Sequence, residues 1–263
     1  MNGISYRING KLKKDLRKKL NYIANLKFLT MKPLMIFGLF VMALVFAQFA
    51  NAQTVDDVIE KYIAAMGGKE KLATLNSFRM EGLLNAQGFD VNITITKVHN
   101  VGARSDIAVN NTQNYRIATP AGGTVFMPVF GQATPQDMPA DMLKAEQIFL
   151  DLHGIFVDYK QKGIVVELAG KETIDGTECY KLKATFKNGN TSNFFIDTKT
   201  DRLYKVTTKV MANGEETESF TTFTNYKQTP DGYWFAYTTT NSRGQTDYDK
   251  VETNIKVDES IFK

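Results

Sequence analysis

From Ser77 onward, apolar and polar residues alternate along the chain. Phe89, Val91, Ile93 and Ile95 interleave with Asp90, Asn92, Thr94 and Thr96. Tyr180, Leu182, Ala184 and Phe186 interleave with Lys181, Lys183, Thr185 and Lys187, and Tyr204, Val206, Thr208 and Val210 with Lys205, Thr207 and Lys209. A period of two predicts strands with one buried and one wet face. Turn pairs punctuate them: Asp175-Gly176, Asn188-Gly189, Asn213-Gly214, Asp231-Gly232 and Arg243-Gly244. About ten strands are expected. No helical pattern separates them in the C-terminal half, which predicts a mainly antiparallel β fold, a single sheet curling into a barrel or deep half-barrel. Phe126-Met127-Pro128-Val129-Phe130-Gly131 is apolar on both faces and predicts a strand buried on both sides.

Two segments have helical spacing instead. Val55, Val58, Ile59, Tyr62, Ile63 and Met66 follow Thr54, with Asp57 completing a capping box and Gly67-Gly68 supplying the stop. The glycine pair before Lys69 is no phosphate loop: Glu70 follows the lysine, and the pair ends a helix. Met138, Met142, Ala145, Phe149 and Leu152 predict a second helix, with Asp137 as N-cap and Gly154 past its end. Helix, strands, helix, strands without a linker reads as one domain over 53–263.

The 263 residues carry 32 Lys/Arg and 28 Asp/Glu, a net charge of +4. That excess is local. Residues 1–52 hold nine basic residues and the single acid Asp15, then an uncharged run from Leu34 to Ala47, then Ala50-Asn51-Ala52. Basic, apolar, small-x-small is the order of a secretory signal peptide, so export with cleavage after Ala52 is expected. The alternative is an inner-membrane anchor over 34–50, although a span needs roughly 20 apolar residues. Residues 1–30 are long for such a leader, and Met31-Lys32 is the expected translation start. The remaining 53–263 carry 23 basic and 27 acidic residues (32 less nine, 28 less one), a net of −4. The case for a nucleic-acid partner goes with the leader.

Sites of chemistry are scarce. The sequence contains no H-E-x-x-H, G-x-S-x-G, C-x-x-C or G-x-G-x-x-G motif, and no catalytic residue, metal site or cofactor is expected. Cys179, the one cysteine, falls opposite the Tyr180/Leu182 face and is expected on the polar side as a structural residue. His153 is expected to cap the second helix, and His99 to sit in a turn. What the chain offers is flexible and aromatic apolar side chains. Met127, Met138 and Met142 cluster around the second helix, and methionine suits surfaces that accept variable partners. A curled sheet of this size encloses either packed side chains or a cavity for one small ligand. The expected cavity and lid residues are Phe89, Val91, Ile93, Phe126, Met127, Met138, Met142 and Phe149.

Val58-Ile59-Glu60-Lys61-Tyr62, Met66-Gly67-Gly68-Lys69-Glu70-Lys71-Leu72 and Phe78-Arg79-Met80-Glu81-Gly82, placed after an exported segment, resemble the opening of LolA/LolB-like outer-membrane lipoprotein-sorting proteins of Bacteroidota. Met138-Pro139-Ala140-Asp141-Met142, Asp151-Leu152-His153-Gly154, Phe195-Ile196-Asp197 and the ending Asp258–Lys263 are similar too. The resemblance implies a half-open antiparallel β-barrel over an apolar cavity, with helices as a lid. It implies a monomeric, non-catalytic carrier for acyl chains of lipoproteins or other lipids, docking on envelope membrane proteins. The alternative is an envelope module, for protein interaction or stress sensing, whose barrel is fully packed.

Overall fold

The alternating segments do pair edge to edge, in a computed structural model that describes residues 14–23, 53–86, 88–109, 112–212 and 215–263. Thirteen strands make one sheet. The first six are β1 (Ser77–Ala86), β2 (Phe89–Val98), β3 (Gly102–Val109), β4 (Thr112–Ala118), β5 (Gly123–Phe126) and β6 (Gln136–Asp137). The other seven are β7 (Val165–Ile174), β8 (Thr177–Thr185), β9 (Thr191–Asp197), β10 (Leu203–Ala212), β11 (Glu215–Gln228), β12 (Trp234–Asn241) and β13 (Gly244–Thr253). All neighbours are antiparallel, and the order is β6-β5-β4-β3-β2-β1-β13-β12-β11-β10-β9-β8-β7. The chain therefore meanders outward to one edge, crosses to the opposite edge, and meanders back until β13 pairs with β1. The curled sheet does not close: β6 and β7, consecutive in sequence, are its two free edges.

Turn chemistry explains most of the reversals. Asp175 (φ 49°) and Gly176 (φ 82°) both lie in the left-handed region, as a two-residue hairpin turn between right-twisted strands requires. Arg243-Gly244 is shifted by one: Gly244 already belongs to β13. Asn213-Gly214 lies outside the described residues, as do the apolar run over 34–47 and the Ala-Asn-Ala triplet. Among the described residues, no helix is long and apolar enough to cross a membrane.

Residues 54–263 form one compact unit and 1–53 another. In the latter, α1 covers 14–23, with Leu16, Leu20, Tyr22 and Ile23 exposed. In the former, α2 (Val55–Ala65) opens on the capping box: Asp57 N–H donates to Thr54 Oγ1 at 3.2 Å and Thr54 N–H to Asp57 Oδ2 at 2.9 Å. Gly67 and Gly68 end it with positive φ, and Gly68 also precedes a single turn, α3 (Lys69–Leu72). The apolar stripe of α2 buries Val58 and Ile59 against Leu182, Ala184, Phe194 and Ile196 of the β8–β9 region. Ile155, Phe156 and Tyr159 of the edge-to-edge connection complete that core.

Three local expectations are corrected. The second helix, α4, spans only Ala140–Gln147 and starts after Pro139, not Asp137. Proline disfavours helical backbone in the residue before it, so Met138 stays outside. A 3-10 turn over Ile148–Leu150 follows, leaving helical geometry at Phe149 (φ −99°, ψ 15°), so His153 caps nothing. Phe126–Gly131 is not a buried strand: Pro128, with no N–H for a ladder, begins a 3-10 turn, and Phe130 is 83% exposed. Cys179 is fully buried, not on a wet face.

Candidate functional site

The concave side of the sheet is filled under β7–β9 by α2 and residues 155–159, and is left open beside β1, β2 and β10–β13. The opening is a cavity of about 360 Å³, within the range of small-ligand sites. Its walls are rich in aromatic side chains. Phe78 comes from β1, Phe223 and Tyr226 from β11, Trp234 and Phe235 from β12, and Tyr248 from β13; Tyr62 of α2 and Met66, its C-cap, close one side. Phe78 and Phe235 meet edge to face at 5.2 Å, as do Tyr62 and Phe156 at 5.4 Å, the arrangement ring quadrupoles favour. Burial pushes the Tyr62 phenol up to about 12, so it stays neutral there. The Tyr226 phenol, also raised by burial, donates to Leu203 O at 2.8 Å.

A β-bulge decides which residues of β10 reach the cavity. The register with β9 shifts between Leu203 and Lys205, and the extra residue, Tyr204, reverses the phase. Leu203 and Val206 therefore both line the wall, whereas strict alternation had paired Tyr204 with Val206.

The rim is formed by residues 149–156, which bind the strand ends next to them. Asn100 N–H donates to Leu150 O at 2.9 Å; on α4, ahead of the rim, Gln147 Nε2 donates to Thr119 O at 2.9 Å. The polar groups gather at this end. The imidazoles of His99 and His153 stack with centroids 3.8 Å apart. Leu152 N–H donates to His99 Nδ1 at 3.1 Å, and His153 N–H to Asp151 Oδ1 at 3.0 Å. Lys162 Nζ lies 2.5 Å from the other oxygen of Asp151. Burial, then the neighbouring His153, hold His99 below its ordinary 6.5; Asp151 opposes them and Lys162 adds to them. Lys97 of β2 also lines the cavity, and its ammonium donates to Phe149 O at 3.4 Å. Burial lowers its pKa, with Glu146 opposing.

Among the described residues, His99, Asp151 and His153 bring donor atoms within 4.8 Å of one another, the spacing of a metal site. The rings are nearly parallel, at 13°, so their in-plane lone pairs do not converge on one point, and the Leu152 N–H occupies His99 Nδ1. Cys179 is equally unsuited to chemistry: burial, followed by Asp197, Glu172 and Glu178, pushes its thiol up to about 11.

Of the eight residues expected to line the cavity and lid, Phe149 lies on its rim. Phe89, Val91 and Ile93 share a strand face with Ile95 and Lys97, which do line it, but stand nearer the far hairpin, where Phe89 is 75% exposed. Phe126 packs on Tyr115 at 5.5 Å. Met127 N–H donates to Gln132 Oε1 at 2.6 Å, and Met138 is buried with its N–H on Gly123 O at 2.8 Å; these three pack around β5, away from the cavity. Met142 is exposed on α4. The residues missed are the aromatics around Asp231-Gly232, namely Tyr226, Tyr233, Trp234 and Phe235, and their density was the available signal.

The same fold is found in solved structures. The chain superimposes on the LolA superfamily protein of Nitrosomonas europaea with a TM-score of 0.51 at 14% identity, covering 81% of this chain and 98% of that one. It also aligns with an outer membrane lipoprotein-sorting protein domain from Vibrio parahaemolyticus at a TM-score of 0.49 and 16% identity, over 78% and 94% of the two chains. No family model matches the sequence, and no curated protein matches it either. At these identities the likeness establishes a shared fold, and function rests on the site.

Proposed function

We propose that this protein is an exported, non-catalytic carrier that holds acyl chains of lipoproteins or other lipids in its cavity. The observation that carries the reading is the aromatic bore of about 360 Å³, bounded by an unclosed sheet and rimmed by residues 149–156. Each methylene taken from water into such a space contributes roughly 0.8 kcal/mol, so a chain can be held without any reaction. The rim is tied down by a few hydrogen bonds and not by a strand ladder, which suits loading and release. The basic leader, apolar run and Ala50-Asn51-Ala52 support export to the periplasm with cleavage after Ala52, leaving 53–263 as a single working domain. The acidic balance of that domain argues against nucleic acid, and envelope membrane proteins are the natural docking partners of a monomeric carrier.

Native mass spectrometry of the protein expressed from its full-length reading frame tests this. Co-purified acyl species, and displacement of a fluorescent fatty-acid probe by unlabelled lipid, are expected. A protein free of lipid that also fails to bind the probe overturns the reading.

A further inference from the structure

The charged side chains that line the cavity, Lys97 and Asp151, lie at one end. Ile95 and Lys97 project from the same face of β2 into it, and His99, two residues on, stacks on His153, which with Asp151 lines the same wall. The charges at this pole are unevenly matched. Asp151 is satisfied: Lys162 meets one oxygen and the His153 N–H the other. Lys97 is not. Its ammonium has one neutral partner, the Phe149 carbonyl at 3.4 Å, and forms no ion pair among the described residues; Glu146 acts on it only at longer range. The Nε2 of His153 is buried without a hydrogen-bond partner. A half-buried cation without a counter-ion and an unpaired buried nitrogen both cost stability, and both line one cavity.

We infer that this pole receives an anionic headgroup, so that the ligand is an amphiphile with one negatively charged end seated between Lys97 and His153 and its chain among Phe78, Phe223, Trp234 and Phe235. The inference rests on the carrier reading and narrows it. A carboxylate or phosphate would give the Lys97 ammonium its missing counter-ion in a charge-assisted bond. It would also accept from the Nε2–H tautomer of His153. The chain would bury its methylenes against the rings. A neutral head would leave the ammonium as it stands, and a cationic head would add repulsion to it.

Trp234, the single tryptophan of the chain, lies in the wall, so its emission reports on occupancy. The full-length protein is titrated with laurate, dodecyl phosphate, 1-dodecanol and dodecyltrimethylammonium, each below its micelle concentration. The better of the two anions is expected to bind about tenfold more tightly than 1-dodecanol, with dodecyltrimethylammonium the weakest. Which anion leads distinguishes a carboxylate from a phosphate head. Lys97→Met is expected to bring the anion-to-alcohol ratio to about one, and Lys97→Arg to preserve the ratio. The wild-type ratio stands by itself should Lys97→Met fail to fold. Equal binding of anion and alcohol by the wild type, or an undiminished ratio in a folded Lys97→Met, overturns the headgroup assignment and leaves the carrier reading intact. Binding of none of the four overturns both.

Discussion

The imidazoles of His99 and His153, the only two in the chain, stack face to face with planes 13° apart. This geometry suits two neutral rings, and a proton on either puts charge against its neighbour. Burial first, then His153, lower the His99 pKa below 6.5. Above that value His99 is neutral both folded and unfolded. As pH falls through it, the unfolded chain takes up the proton first, so stability drops until the folded-state value is passed. Urea melts between about pH 5 and pH 8 are expected to show this loss on acidification, by at most one proton's slope, and His99→Gln to flatten it. An unchanged slope in His99→Gln would remove the pair from the acid response.

Phe149 lies on the rim of the cavity, and Met142, seven residues earlier, faces solvent on α4. A carboxylate at Phe149 would stand against the Lys97 pole and the bound chain, so Phe149→Asp is expected to weaken fatty-acid probe binding by about tenfold or more. Met142→Asp is expected to leave it within about twofold. Probe titrations of both variants check this, and equal losses would place α4 in the site.

Leu182 is fully buried between Leu168 and Phe194, its cross-strand neighbours on β7 and β9. Truncation there opens a cavity in the packed core; Leu182 itself does not line the larger cavity, although its neighbour Phe194 does. Leu182→Ala is expected to cost about 2–5 kcal/mol in denaturant unfolding, with little change in probe affinity for the fraction still folded.

Cys179 should resist thiol reagents in the native protein. With its thiol pushed up to about 11 and no exposed surface, little thiolate exists near pH 8 and none is accessible. Labelling is expected to be slower than in the urea-unfolded chain by about a hundredfold or more. Comparable rates would mean that β8 opens readily.

Period-two alternation made the sheet legible, because it states which face of each strand is buried. It does not state how far along the strand the core gives way to a cavity. Phe89 and Lys97 share a face of β2, yet Phe89 stands in solvent and Lys97 in the cavity wall. Bulges are invisible for the same reason: at Tyr204 one extra residue exchanged the wet and buried sides of β10. Met127 and Met138 drew attention by chemical type, while Pro128 and Pro139, next to each, set the backbone that carried them away from the bore. Capping at Thr54 and the turn at Asp175-Gly176 were readable because both are settled within a few residues.

The two free edges of the sheet belong to consecutive strands, β6 and β7, and the intervening stretch 138–164 joins them through the rim. A closed barrel has its diameter fixed by strand number and shear. Here no seam of hydrogen bonds sets the girth, so the bore can widen or tighten like an open ring around its contents. Guests of different thickness would then be accommodated at the expense of side-chain packing alone, with every backbone ladder kept whole.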